Sequence, residues 1–251
     1  MAKAVIRCYE ELNDFLPAAW RKRERALEFV PPTPVRHLIE TLGVPHTEVE
    51  LILVNGASVD LDYRVADGDR ISVYPMFEAL DVSPLLKLRE RPLRQVRLVV
   101  DSHLGRLAHY LRLLGFDTLF HNDLGDQELA RLAAQEGRIV LTRDKALLMR
   151  REVTHGCYVR DASPREQLAA LVARLDLYRE IRPFTRCMEC NGLLRPAAKQ
   201  QVAGRLPEGP RALFDEFWEC TGCGRVYWKG SHFHRMQALV DWVRAQGASL
   251  S

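Results

Sequence analysis

Two short apolar runs, Leu98-Val99-Val100 and Ile139-Val140-Leu141, each end in or just before an aspartate. Unbroken runs of this length read as strands buried on both faces, as in a parallel sheet. Between them Leu104, Leu107, Ala108, Leu111 and Leu114 recur at helical spacing, and Gly115 supplies the stop. Arg106, His109 and Arg112 fall off that stripe. A short strand near Thr118–Phe120 follows. A second helix is expected from near Asp126 to Gly137, with Leu129, Leu132 and Ala133 inward. Strand, helix, strand, helix, strand is a right-handed α/β winding. No glycine-rich phosphate loop accompanies it, which argues against a nucleotide-binding Rossmann or P-loop fold.

The first eighty residues have a different rhythm. Val5–Tyr9 opens as a strand, and Leu27–Phe29 is its expected partner. Pro34 precedes a short helix, Val35–Leu42, closed by Gly43. Leu51–Val54 runs into Asn55-Gly56, a hairpin signal, and Asp67-Gly68-Asp69 precedes a strand at Arg70–Tyr74. Strands around one helix suit a β-grasp over residues 1–80. The run ILVNGASVDLDYRVADGDRISVYP resembles the ubiquitin-like sulfur-carrier family. That family uses a free Gly-Gly tail, whereas Met76-Phe77-Glu78-Ala79-Leu80 stands at that point here and the chain continues. Sulfur transfer is therefore not expected, and the domain is expected to bind or position a protein partner. Residues 81–95, with Pro84 and Pro92, read as a linker.

The aspartates carry candidate chemistry. In open α/β sheets the ligand crevice lies beyond the carboxyl ends of the strands, so Asp101 and Asp144 are expected to converge there. Clustered carboxylates repel, and a divalent cation relieves them. Each also has a structural alternative: Asp126 and Asp144 stand where helix caps would. Asp117 reads as a turn residue. His103, beside Asp101, either touches substrate or is structural.

The stretch VVDSHLGRLAHYLRLLGFDT, with GRIVLTRD downstream, resembles the PIN-like ribonuclease family named after the Mut-seven carboxy-terminal region. The similarity continues through Arg186–Asn191 and Cys220–Lys229. It implies a PIN-like three-layer α/β domain with a parallel sheet over residues 96–180, a Mg²⁺ or Mn²⁺ site and RNA as substrate. Carried over by motif, the catalytic acids are Asp101, Asp126 and Asp144. The fourth acid of many PIN nucleases has no obvious counterpart. Asp123 is the first candidate, with Glu128 and Asp161 behind it. Arg106, Arg143 and Lys145 are candidates to position a phosphate.

Cysteine spacing gives the other strong signal. Cys187-Met188-Glu189-Cys190 and Cys220-Thr221-Gly222-Cys223 are two C-x-x-C knuckles. Four thiolates complete a tetrahedral Zn²⁺ shell with no open position. A structural zinc ribbon is expected over residues 181–236, with an insertion around Ala198–Pro210 to span the long gap between knuckles. Disulfides are the weaker alternative in the absence of a secretory signal. Cys8 and Cys157 have no partner pattern and read as buried thiols. After the second knuckle basic and aromatic residues interleave. Tyr227, Trp228 and Lys229 are candidate RNA contacts, with packing of both rings inside the protein as the equal alternative. Pro164–Leu177 reads as an amphipathic helix, and residues 237–251 as a terminal one, with Leu239, Val240 and Val243 apolar.

Charge divides along the chain. Residues 1–80 hold nine Lys/Arg against thirteen Asp/Glu, and residues 81–251 hold twenty-seven against twenty. A basic nuclease-and-ribbon part suits a polyanion. No apolar run of about 18 residues occurs, so no membrane span is expected. No signal-peptide pattern opens the chain, so a cytoplasmic location is expected. The fold class is thus α+β and α/β. The expected function is hydrolysis of RNA phosphodiester bonds at an acidic metal site. The alternative is a non-catalytic RNA-binding or adaptor protein that works through the ribbon and basic surface.

Overall fold

The computed structural model describes residues 1–75 and 96–248. The expected linker at 81–95, the end of the first domain at 76–80 and the last three residues lie outside the described residues. Two compact units emerge. Among the described residues, one draws on 1–75 and 125–158, the other on 96–124 and 159–248.

The first unit opens with β1 (Ala2–Cys8), β2 (Arg25–Phe29), α1 (Val35–Thr41), β3 (Leu51–Val54), β4 (Ala57–Val59) and β5 (Arg70–Tyr74). The five strands form one sheet in the order β2-β1-β5-β3-β4. The central pair β1–β5 is parallel, with Ile6 opposite Ile71, and the other pairings are antiparallel. Strict alternation in β1 buries Ala4, Ile6 and Cys8 on one face, where they meet Val35, Leu38 and Ile39 of α1. Asn55 and Gly56 close the β3–β4 hairpin at positive φ, as the sequence required. This is the expected β-grasp.

In sequence order, β6 (Arg97–Val100), α2 (Gly105–Leu113) and β7 (Asp117–Phe120) follow and belong to the second unit. Next come α3 (Asp126–Glu136), β8 (Ile139–Thr142), α4 (Lys145–Leu148) and β9 (Gly156–Tyr158) of the first. Strands β6 and β7 pair in parallel, as do β8 and β9. Every residue of β8 is buried, the reason its sequence is an unbroken apolar run.

Within the first unit the β-grasp packs on β9 through a 3-10 turn, His46–Glu48, whose three polar residues are all buried. Glu48 Oε1 accepts the Tyr158 backbone N–H at 2.7 Å. His46 Nε2 lies 2.9 Å from the Val153 carbonyl, and its Nδ1 lies 2.8 Å from Glu40 Oε1. Both ring nitrogens therefore face acceptors.

The second unit continues with α5 (Pro164–Arg174), β10 (Leu194–Ala197), α6 (Lys199–Val202), α7 (Glu208–Leu213), β11 (Phe217–Cys220), β12 (Val226–Trp228) and α8 (Ser231–Ala248). Helix α5 packs between α2 and α8. Strands β10, β11 and β12 form an antiparallel sheet, the ribbon. The expected insertion is α6 and α7. Val202 and Leu206 of the insertion form a small core with Phe217 of β11. Arg112 lies off the apolar stripe of α2 yet is 2% exposed. One expectation is corrected. The terminal helix starts at Ser231, ahead of the boundary expected at 237, because the polar residues His232, His234 and Arg235 form its first turns without an apolar stripe.

Candidate metal centre and acidic residues

The four knuckle cysteines converge. Their sulfurs all lie within 4.8 Å of one another, with Cys187 and Cys223 3.7 Å apart and Cys190 and Cys220 3.3 Å apart. Bonds of about 2.3 Å at tetrahedral angles place sulfurs roughly 3.8 Å apart, so the spacing fits zinc. Each knuckle turns at the residue after its second cysteine, Asn191 at φ 69° and Gly224 at φ 71°. Glycine and asparagine are the residues that tolerate this region. The turns are closed by Asn191 N–H to Cys187 O at 2.9 Å and Gly224 N–H to Cys220 O at 3.0 Å. Burial pushes the Cys220 thiol up, yet the backbone N–H groups of Cys223 and Gly222 hold it down to about 7. The Tyr227 hydroxyl lies 3.0 Å from Cys187 Sγ. A closed set of four soft donors, each without a disulfide partner, can hold zinc.

The ribbon is keyed to β7 by residues that sequence reasoning missed. Arg112 donates to the carbonyls of Thr118, Met188 and Glu189 at 2.7–2.9 Å. Asn191 accepts the Thr118 backbone N–H at 3.0 Å and donates to Asp117 Oδ1 at 2.8 Å. Asp117 thus begins a strand and receives the first knuckle, where a turn was expected.

The expected acids stand on separate elements. Asp101 follows β6, half-buried, and accepts from Ser102 Oγ at 3.1 Å. Asp126 is the exposed first residue of α3. Gly125 is the N-cap there, so the capping alternative for Asp126 does not apply. Asp144 is the N-cap of α4, where Oδ1 accepts the Ala146 N–H at 2.7 Å. Asp101 belongs to one unit, and Asp126 and Asp144 to the other. Asp123 is exposed ahead of α3. Arg106 and Arg143 are exposed, whereas the Lys145 ammonium lies 5.0 Å from the Phe15 ring centre and 5.9 Å from that of Tyr158. Tyr227 and Trp228 are half-buried. Lys229 is exposed and pairs with Glu216 at 2.7 Å.

Residues 96–240, more than half of the chain, match the family described as Mut7-C RNAse domain. The chain belongs to that family. Residues 1–81 match the family described as Mut7-C ubiquitin. The exonuclease mut-7 homolog of Homo sapiens is 26% identical over 225 residues, an alignment covering 58% of this chain and 26% of that protein. The chain thus spans about a quarter of the length of that relative. Among solved structures, a provisionally named molybdopterin converting factor subunit 1 from Pyrococcus furiosus shares 23% identity. It covers 31% of this chain and all of its own, at a TM-score of 0.25, too low to carry weight. The Mut7-C match runs from β6 into α8 and takes in the three acids and both knuckles. Among the described residues no helix is long and apolar enough to cross a membrane.

Proposed function

We propose that this Mut7-C protein is a metal-dependent ribonuclease with a PIN-like acidic site. The observation that carries this function is the family match across residues 96–240, which spans Asp101, Asp126 and Asp144. These carboxylates are hard oxygen donors suited to Mg²⁺ or Mn²⁺. Two local features support this reading: the N-cap of α3 is Gly125, not Asp126, and the cap at Asp144 engages Oδ1. A divalent ion so held lowers the pKa of a bound water and offsets charge on a scissile phosphate. Arg106 and Arg143, exposed and cationic, bind the phosphodiester and orient it. Asp123 is the candidate fourth acid. The four cysteines hold structural zinc, which keeps the ribbon folded and places Tyr227, Trp228 and Lys229 against RNA. The protein acts in the cytoplasm, where reducing conditions keep the ligand thiols free. The β-grasp restricts access or receives a protein partner.

A second function has two observations in its favour. Asp144 already has a structural job, and Lys145 is engaged with Phe15 and Tyr158. A binding protein without catalysis would need neither residue at a reacting phosphate. Incubating a mixed RNA pool with the purified chain, with and without Mg²⁺ or Mn²⁺, separates the two. Metal-dependent cleavage that Asp101→Asn abolishes supports the ribonuclease. RNA binding with no cleavage on any pool leaves the binding protein.

A further inference from the structure

Two adjoining cavities of the second unit meet at Tyr227 and Trp228. The larger, about 1010 Å³, is a groove walled by α2, α5, α7, β12 and α8. Its basic lining is Arg165, Arg225 and Arg235 with His109 and His232, and among the described residues that line it there is neither Asp nor Glu. Arg165 is held over the Trp242 ring at 4.0 Å, and Arg235 donates to His232 Nδ1 at 2.8 Å. Leu213 lies on the groove and is 77% exposed.

The smaller cavity, about 270 Å³, is aromatic. Phe184, Trp218, Trp228 and Phe233 line it, with Met188 beside them. The Phe184 and Phe233 rings are 4.7 Å apart and tilted by 32°. Trp228 and Phe233 line both cavities, so a chain lying in the groove passes the mouth of the pocket.

A groove whose charged lining residues are arginines attracts a polyanion. A pocket walled by rings takes a flat heterocycle, since every base offers a π-face. A duplex keeps its bases stacked and paired, whereas a single strand can turn one out. We infer that the groove binds single-stranded RNA, with phosphates along Arg225 and Arg235 and one unpaired base in the Phe233–Trp228 pocket. The inference rests on the ribonuclease function proposed above and names the form of RNA it takes.

The test uses the zinc-loaded full chain without added Mg²⁺ or Mn²⁺. Anisotropy titrations compare a labelled mixed-sequence strand of about 12 nucleotides with its duplex at two salt concentrations. The single strand is expected to bind about tenfold tighter or more. Arg225→Gln with Arg235→Gln weakens binding and lowers the salt slope by about 1.4, about 0.7 for each phosphate contact of a single strand. Phe233→Ala weakens binding about tenfold and leaves the slope unchanged, because it removes stacking and no charge. Melting curves and zinc content confirm that each variant is folded. As a second measurement, 4-thiouridine crosslinks from the strand should map to residues 225–236.

Equal binding of strand and duplex, variants that bind like wild type, or crosslinks confined elsewhere would overturn the inference. So would an RNA-free dimer that Leu213→Glu splits, which assigns the groove to a second copy. Variants that lose an acidic peptide but keep RNA would assign it to a protein partner, with the same result. Metal-dependent cleavage with no effect of these variants removes the groove and keeps the ribonuclease. Groove binding as described, with no cleavage, does the reverse.

Discussion

Arg112 donates from Nη1 to the carbonyl oxygen of Glu189 at 2.7 Å, reaching from α2 into the first cysteine knuckle. The same nitrogen reaches Met188 O at 2.9 Å, and Nε reaches Thr118 O at 2.9 Å. One buried guanidinium thereby joins a helix, a strand and a metal-site turn. Burial pulls its pKa down from the ordinary arginine value, while Cys187 and Cys190 push the other way.

Arg112→Lys should not rescue this arrangement, because a single ammonium cannot reproduce a planar fork aimed at three carbonyls. Either Arg112→Lys or Arg112→Met should cost about 2–4 kcal/mol, since one buried and two part-buried carbonyls lose their donor. Urea unfolding followed by tryptophan fluorescence reads the loss. Zinc should also come away at lower chelator concentration. An unchanged midpoint would show that the three bonds contribute nothing.

The knuckles should bind one Zn²⁺ per chain. Cys220→Ser removes a ligand and two N–H···S contacts from Gly222 and Cys223. The expected result is loss of zinc and of protection in β10–β12, with amide exchange in residues 1–75 unchanged. Acid should release the metal, because each thiolate must be deprotonated to bind. Elemental analysis showing no metal, with Cys187 and Cys190 joined as a disulfide, would refute the site.

What the sequence disclosed was local. Alternation in β1 and the Asn55-Gly56 turn are written in neighbouring residues. So are the stop of α3 at Gly137, which has φ 62°, and both C-x-x-C turns. Arg112 was illegible because its knuckle partners lie 76 and 77 residues away and are main-chain carbonyls, which have no side-chain signature. The buried turn His46–Glu48 was hidden for the same reason. Its partners in the β8–β9 region are the Val153 carbonyl and the Tyr158 N–H, main-chain groups that leave no mark in the sequence. Sequence could propose the acids but could not tell Asp126 from a cap. Only the helix start at Asp126, with Gly125 ahead of it, does that.

Glu40 should give the first unit part of its acid sensitivity. Partial burial alone would raise its carboxyl, but His46 at 2.8 Å and Arg36 at 3.1 Å hold it below the usual value. The folded pKa lies below the unfolded one, so the unfolded chain takes up the proton first as pH falls. The stabilisation is complete above about 4.3, the ordinary glutamate value, and is lost as pH falls through the lower folded value. Glu40→Gln should therefore lose stability at neutral pH and show a shallower fall between about pH 5 and 3. Parallel profiles for wild type and variant would remove Glu40 from the linkage.

Asp144 permits the sharpest separation of structure from chemistry. Its Oδ1 caps α4 through the Ala146 N–H, and its own N–H is fixed by Thr142 Oγ1 at 2.9 Å. Asparagine caps a helix as well as aspartate, whereas alanine loses about 1 kcal/mol. Asp144→Asn should therefore leave stability within about 0.5 kcal/mol of wild type, and Asp144→Ala should not. If the carboxylate also holds a divalent ion, both variants lose RNA cleavage by about a hundredfold or more. RNA binding by Asp144→Asn should match or exceed wild type, because a negative charge near phosphate is gone. Thermal melts, cleavage in Mg²⁺ and binding without it give the three readouts on the same preparations. Full cleavage by Asp144→Asn would mean that the carboxylate only caps, and the metal site would have to be sought among the other acids.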